Sequence, residues 1–142
     1  MRSTLVQFAI IVACSCAALA QKPSGDPFGE NLFPPELVMA HQQEIGLSEE
    51  QREYLKAESL KAQRRFVELQ WQLMDDSEKL AALVKQEHVD EQQTLVAVDK
   101  VLDVEREIKK LQIQLVVRIK NKLTPDQQAR LMEIKRASAP KQ

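Results

Sequence analysis

An all-α fold, with four helices arranged around one long antiparallel hairpin, is predicted by three observations. From Ser48 to about Glu87 the chain contains neither Gly nor Pro, so nothing in it forces a helix to break. Its apolar residues recur in steps of three and four, which keeps them on one helical face. A second stretch with the same spacing follows from about Glu91 to Lys122, and a short link makes two such helices antiparallel neighbours. A charged content of 29% with only 4% aromatic residues suits long helices with solvated faces better than sheets.

Residues 1–20 read as a secretory signal peptide. Arg2 supplies the positive start, residues 5–13 an apolar run, and Ala18-Leu19-Ala20 a small-x-small cleavage site. The run is too short to span a bilayer as a mature helix. Ile11-Val12-Ala13-Cys14 also resembles a lipobox, so a membrane-tethered lipoprotein through Cys14 is an alternative, and an uncleaved anchor a third. Cleavage after Ala20 removes both cysteines, Cys14 and Cys16, and the exported chain then holds itself by packing without disulfides.

Residues 21–33 read as a flexible linker, because Pro23, Gly25, Pro27 and Gly29 prevent a regular element. Phe28, Leu32 and Phe33 can pin its end to the body. The helical domain is expected over 34–137, with 138–142 a disordered tail. A short first helix starts at Pro35, in its first turn, and carries Leu37, Val38, Ala40 and Ile45 on its apolar side. Gly46 ends it as a C′ residue.

Leu47-Ser48-Glu49-Glu50-Gln51 opens the long helix. Ser48 caps it and Gln51 reaches back to the Ser48 backbone, which is a capping box, with Leu47 as a hydrophobic staple. Glu49 and Glu50 favour the positive end of the helix dipole. The main stripe is Leu55, Ala62, Phe66, Leu69, Leu73, Leu80, Leu83 and Val84. A tight turn is expected around 86–90, with Asp90 and Gln93 forming a second capping box. The third helix carries Ala97, Val101, Val104, Ile108, Leu111, Leu115 and Ile119 on its stripe. This places the stretch from Leu60 to Met74 opposite 104–118. Leu123-Thr124-Pro125-Asp126-Gln127 then repeats the first device, with Thr124 as cap, Pro125 at N1 and Gln127 closing the box. A short fourth helix with Leu131, Met132 and Ile134 follows.

Each long helix also carries a second apolar line. It comprises Leu60, Val67, Trp71, Met74 and Ala81 on the first, and on the second a partial line, Leu95, Val98, Leu102, Ile113 and Val116, interrupted by Lys109. A hairpin buries one stripe per helix, so the second line needs another partner. The candidate surface for a client or a second copy is therefore Leu60, Val67, Trp71, Met74, Leu102, Ile113 and Val116. Part of it packs on the short helices or the dimer mate in one reading, and stays open for clients in the other.

Other chemistry is poorly supported. The formal net charge is −1, which argues against nucleic acid or an anionic membrane as main partner. Gly-rich phosphate loops, HExxH and a nucleophile elbow are all lacking, so no enzymatic activity and no cofactor are expected. Asp75 and Asp76 are adjacent on a helix and point about 100° apart, which rules them out as a catalytic pair. His41 and His88 are the two histidines. His88, beside Glu87, Asp90 and Glu91, raises a zinc or copper site, but an imidazole in an acidic turn is more often a solvated group, and closed zinc sites want four ligands. Arg64-Arg65 and Lys109-Lys110 read as solvated faces or intersubunit ion pairs that can also steer an acidic client or a kinase domain.

The two motifs, Leu47-Ser48-x-x-Gln51 and Leu123-Thr124-x-x-Gln127, resemble the paired LTxxQ motifs of the Spy/CpxP family, to which zinc-resistance-associated and heavy-metal-sensor proteins are related. The resemblance covers roughly 34–135. It implies a periplasmic, elongated and bent four-helix protomer that pairs into a cradle-like homodimer. It also implies an ATP-independent chaperone for unfolded envelope proteins, or an accessory of an envelope-stress sensor kinase, with a metal-binding sensor or resistance protein as the alternative. Ser48 stands where the family motif has Thr, an exchange that preserves capping. The near-neutral charge departs from a strongly basic client cradle, and the lack of His-rich or Cys-bearing segments departs from the metal-binding relatives.

Overall fold

The computed structural model describes residues 29–138. The expected signal peptide, Cys14, most of the expected linker and the last four residues lie outside them. The described chain contains a 3-10 turn, Gly29–Asn31, and four α-helices: α1 (Pro35–Ala40), α2 (Glu49–Val84), α3 (Glu91–Lys122) and α4 (Pro125–Ser138). It has no strand among the described residues, and the all-α expectation holds.

The end of the expected linker is already part of the body. Phe33 is buried, and Lys135 of α4 donates to the carbonyls of Gly29 and Leu32. The same ammonium lies 5.8 Å from the centre of the Phe33 ring, so charge and packing together tie the chain down here.

Helix α1 is shorter than its apolar pattern suggests. His41 leaves helical geometry at φ −108 and ψ 20, and a looser turn carries the chain to Gly46. There the Leu47 N–H bonds the Gln42 carbonyl at 2.8 Å and the Gly46 N–H bonds that of Gln43 at 3.1 Å. This pairing is a Schellman ending, and it needs a left-handed residue at C′. Gly46, at φ 65, supplies it. The turn still buries both Val38 and Ile45, so the apolar pattern is satisfied without a continuous helix.

Helix α2 begins with the expected capping box. The Gln51 N–H donates to Ser48 Oγ at 3.2 Å and the Ser48 N–H donates to Gln51 Oε1 at 3.0 Å. Leu47 does not act as a staple, since the N4 position facing it is Arg52; it joins the core instead. Helix α2 stops at Val84 rather than near Glu87, and the link to α3 spans 85–90. Asp90 caps α3 by accepting the Gln93 N–H at 2.9 Å. Half of the expected box forms; the other contact at this cap is Thr94 Oγ1 donating to the Asp90 carbonyl.

Helices α2 and α3 run antiparallel in the expected register. Arg118 meets Glu58 at 2.6 Å and Lys122 meets Glu50 at 2.7 Å. Toward the tip, Asp76 shares a groove with Lys100, and Leu83 with Gln93. The core lies at the opposite end. Phe33, Val38, Ile45, Leu47, Leu55, Ile119, Leu123 and Leu131 form one buried cluster there, drawn from all four helices and the turns between them. Beyond it, Leu69 and Val104 are the buried residues of the hairpin arms. Phe66, Leu73, Leu80, Leu83, Val101 and Ile108 remain half-buried, and Val84, read as part of the main stripe, is exposed. Two helices cover each other along one line only, so a stripe between them stays wet at its edges.

Candidate functional site

Two features stand out: a polar clasp at the base and an apolar surface along the arms.

The clasp joins the two motifs, whose glutamines are 76 residues apart. Gln127 repeats the capping geometry of Gln51. Its N–H donates to Thr124 Oγ1 at 3.3 Å, and its Oε1 accepts the Thr124 N–H at 2.9 Å. The two carboxamides then bond each other reciprocally. Gln51 Nε2 donates to Gln127 Oε1 at 2.8 Å, and Gln127 Nε2 donates to Gln51 Oε1 at 2.9 Å. The second proton of each amide goes to the carbonyl just before the other motif: Gln51 to Lys122 at 2.9 Å, Gln127 to Gly46 at 3.1 Å. Each buried amide thus uses two donors and accepts twice, as burial of such a group requires. The pattern is two-fold in its logic, with each motif capping its own helix and bonding the backbone entering the other.

Around the clasp, Lys122 bridges α3 to α2. It pairs with Glu50 and lies 5.2 Å from the centre of the Tyr54 ring. Its hydrogen bond and charge hold the Glu50 carboxyl below its usual value. The clasp is sealed and satisfied, and offers a ligand nothing. It positions the arms.

The arms carry the candidate surface. On α2, Leu60 is 53%, Val67 45%, Trp71 65% and Met74 48% exposed; on α3, Leu102 is 47% and Ile113 36% exposed. Val116 is half-buried while its neighbour Val117 is exposed. The reason is phase: Val116 sits one turn before the buried Ile119, on the flank of the seam. Leu95 and Val96 extend the exposed apolar residues toward the tip. Trp71 is the largest of them, and most of its indole faces solvent.

A mixed groove of about 730 Å³ lies beside this surface, lined by Arg65, Leu69, Arg106, Lys110, Ile113 and Val117. Three of its four cations pair along their own helices: Arg65 with Glu68, Arg106 with Asp103 and Lys110 with Glu107; Lys109 is the fourth. Exposed pairs of this kind are worth about 0–1 kcal/mol, so they exchange readily for a partner's carboxylates.

The profile of the heavy-metal resistance family matches residues 3–130, most of the chain. This chain belongs to the heavy-metal resistance family. No curated protein and no solved structure matches it.

Resistance to heavy metals makes the chain's metal-donor side chains the relevant chemistry. Heavy-metal ions seek thiolate and imidazole, and borderline ones accept carboxylate as well. In this member of the heavy-metal resistance family, no three His, Cys, Asp or Glu side chains converge on a metal-sized site among the described residues. His41 Nδ1 meets Glu44 at 2.8 Å within one turn, and His88 stands in the exposed link at the far tip. The described residues do not fit a bound ion.

Sequence reasoning found both caps, since each is a local three-residue relation. It missed their embrace, which is non-local. The repeated spacing of Gln51 and Gln127 was the available signal. Asp76 falls on the α2 stripe, where its carboxylate is mostly covered and lies 3.6 Å from Lys79. A polar contact, within α2, settles it there.

Proposed function

We propose that this chain is a non-enzymatic holding protein of the Spy/CpxP type, which binds unfolded envelope proteins on the apolar lines of its hairpin without nucleotide. The single observation that carries this reading is the exposed row Leu60, Val67, Trp71 and Met74 on α2. Monomeric proteins seldom leave so much aligned apolar surface uncovered unless it binds something. About 300 Å² buried at roughly 25 cal/mol per Å² gives a gross gain of about 7.5 kcal/mol. Association costs of at least about 4 kcal/mol leave a weak, reversible grip. That suits a protein that must let go, because a client that folds withdraws its own apolar segments.

The matching pair of capping motifs supports the Spy/CpxP assignment. The leader-like residues 1–20 support export to the periplasm, with a tether through Cys14 as the alternative. A homodimer that covers part of each apolar line belongs to the same proposal. So does an acidic sensor-kinase domain docked at the mixed groove beside Arg65 and Lys110.

Suppression of aggregation tests the function. Light scattering from a reduced, denatured client should fall when the wild-type protein is added. Trp71→Ala should lose at least half of that suppression while keeping its helicity and its melting temperature, because substitutions at exposed positions usually change stability by less than about 0.5 kcal/mol. Full suppression by the variant would remove Trp71 from the binding surface.

The family match favours a second reading, in which the chain is a metal-binding sensor or resistance protein of the same fold. The unassembled donor set argues against it, and titration with zinc or copper decides it.

A further inference from the structure

The family match and the donor set point in different directions, and the difference is informative. Heavy-metal ions damage proteins through ligand chemistry. They capture thiolates and imidazoles, and a side chain drawn to an ion leaves its native place. Metal binding and folding are thus coupled, and a protein unfolded in this way exposes apolar segments.

The body of this chain offers such ions little to capture. Residues 29–138 contain no cysteine, since Cys14 and Cys16 both precede them. The two histidines are far apart, His41 paired with Glu44 near the base and His88 in the link at the tip. The core is built from Phe33, Leu, Ile and Val side chains, with the two glutamine amides as its buried polar groups. Neutral amides compete poorly with thiolate or imidazole for these ions. Along the exposed α2 row, Met74 is the one side chain with a soft donor atom, and a single thioether makes no site.

We infer that the clients of this surface are proteins unfolded by heavy-metal ions, and that the chain serves metal resistance by holding those proteins and not by binding the ions. The inference rests on the holding function proposed above. A fold secured by aliphatic packing and paired amides keeps both its core and its apolar row at ion levels that unfold thiol-bearing neighbours.

The test uses the purified protein with one thiol-bearing client, read by light scattering under two conditions. In one, the client is unfolded with cadmium chloride; in the other, it is unfolded by heat in the presence of a chelator. Cadmium and zinc alone are titrated into the protein by calorimetry. Two double variants, His41→Ala/His88→Ala and Cys14→Ser/Cys16→Ser, run in parallel. The expected result is suppression under both conditions, at protein-to-client ratios that agree within about twofold. It should be unchanged in either double variant, with no micromolar metal binding. Suppression of heat-induced but not cadmium-induced aggregation overturns the inference and leaves the holding function standing. Failure under both conditions removes the holding function and the inference with it. Suppression with cadmium that disappears in either double variant, alongside micromolar metal binding by the wild type, overturns the inference in favour of ion capture.

Discussion

Gln51 and Gln127 are coupled reciprocally across the base of the hairpin. Each closes a capping box and donates to the other's oxygen and to the other's incoming backbone. Truncating either one frees a helix cap and leaves a buried amide and a carbonyl unpaired. Gln51→Ala and Gln127→Ala should therefore each cost about 2–3 kcal/mol of unfolding free energy. The double variant should cost less than the sum by about 1 kcal/mol or more, because the second truncation finds its main partner already gone. Chemical denaturation of the four proteins in the cycle checks this; strict additivity would mean that the two amides act separately. The sequence showed each box plainly, because Ser48–Gln51 and Thr124–Gln127 are three-residue relations. It did not show the bond between them, since no local pattern records which distant group an amide meets.

At the scale of the elements, the hairpin is unevenly supported. Its base is wrapped by α1, α4 and the Phe33 segment, whereas its arms hold each other through Leu69, Val104 and a row of half-buried side chains. Stability within a fold follows the density of buried contacts. Amide hydrogen exchange should therefore be slowest near Leu55 and Ile119 and at least about tenfold faster near Leu80 and Ala97, a difference of about 1.4 kcal/mol in local opening. Uniform protection along both arms would show that something else covers them, a second copy above all. Helix ends tested sequence reasoning hardest. The start of α3 at Glu91 was legible from Asp90, an unambiguous cap. The early stop of α1 at Ala40 was not, because Ile45 continues the apolar spacing whether the chain is a regular helix or a loose turn ending at Gly46.

At the scale of the described residues as a whole, a small base core carries two long arms, and the arms display apolar side chains that the other described residues leave exposed. Helix periodicity made both lines visible in advance, and Leu60, Val67, Trp71, Met74, Leu102 and Ile113 are exposed as that periodicity implies. Val116 escaped it by one position, a small error in phase that grows with distance along a long helix. On the proposed function, this surface is open in the free protein and covered when a client is held. Collisional quenching of the one tryptophan measures it directly, since Trp71 lies in the middle of the α2 row. Iodide should quench the free protein strongly, and an unfolded client should reduce that quenching at least about threefold while a folded client leaves it unchanged. An indole already shielded without a client, or equally accessible with one, would contradict the account.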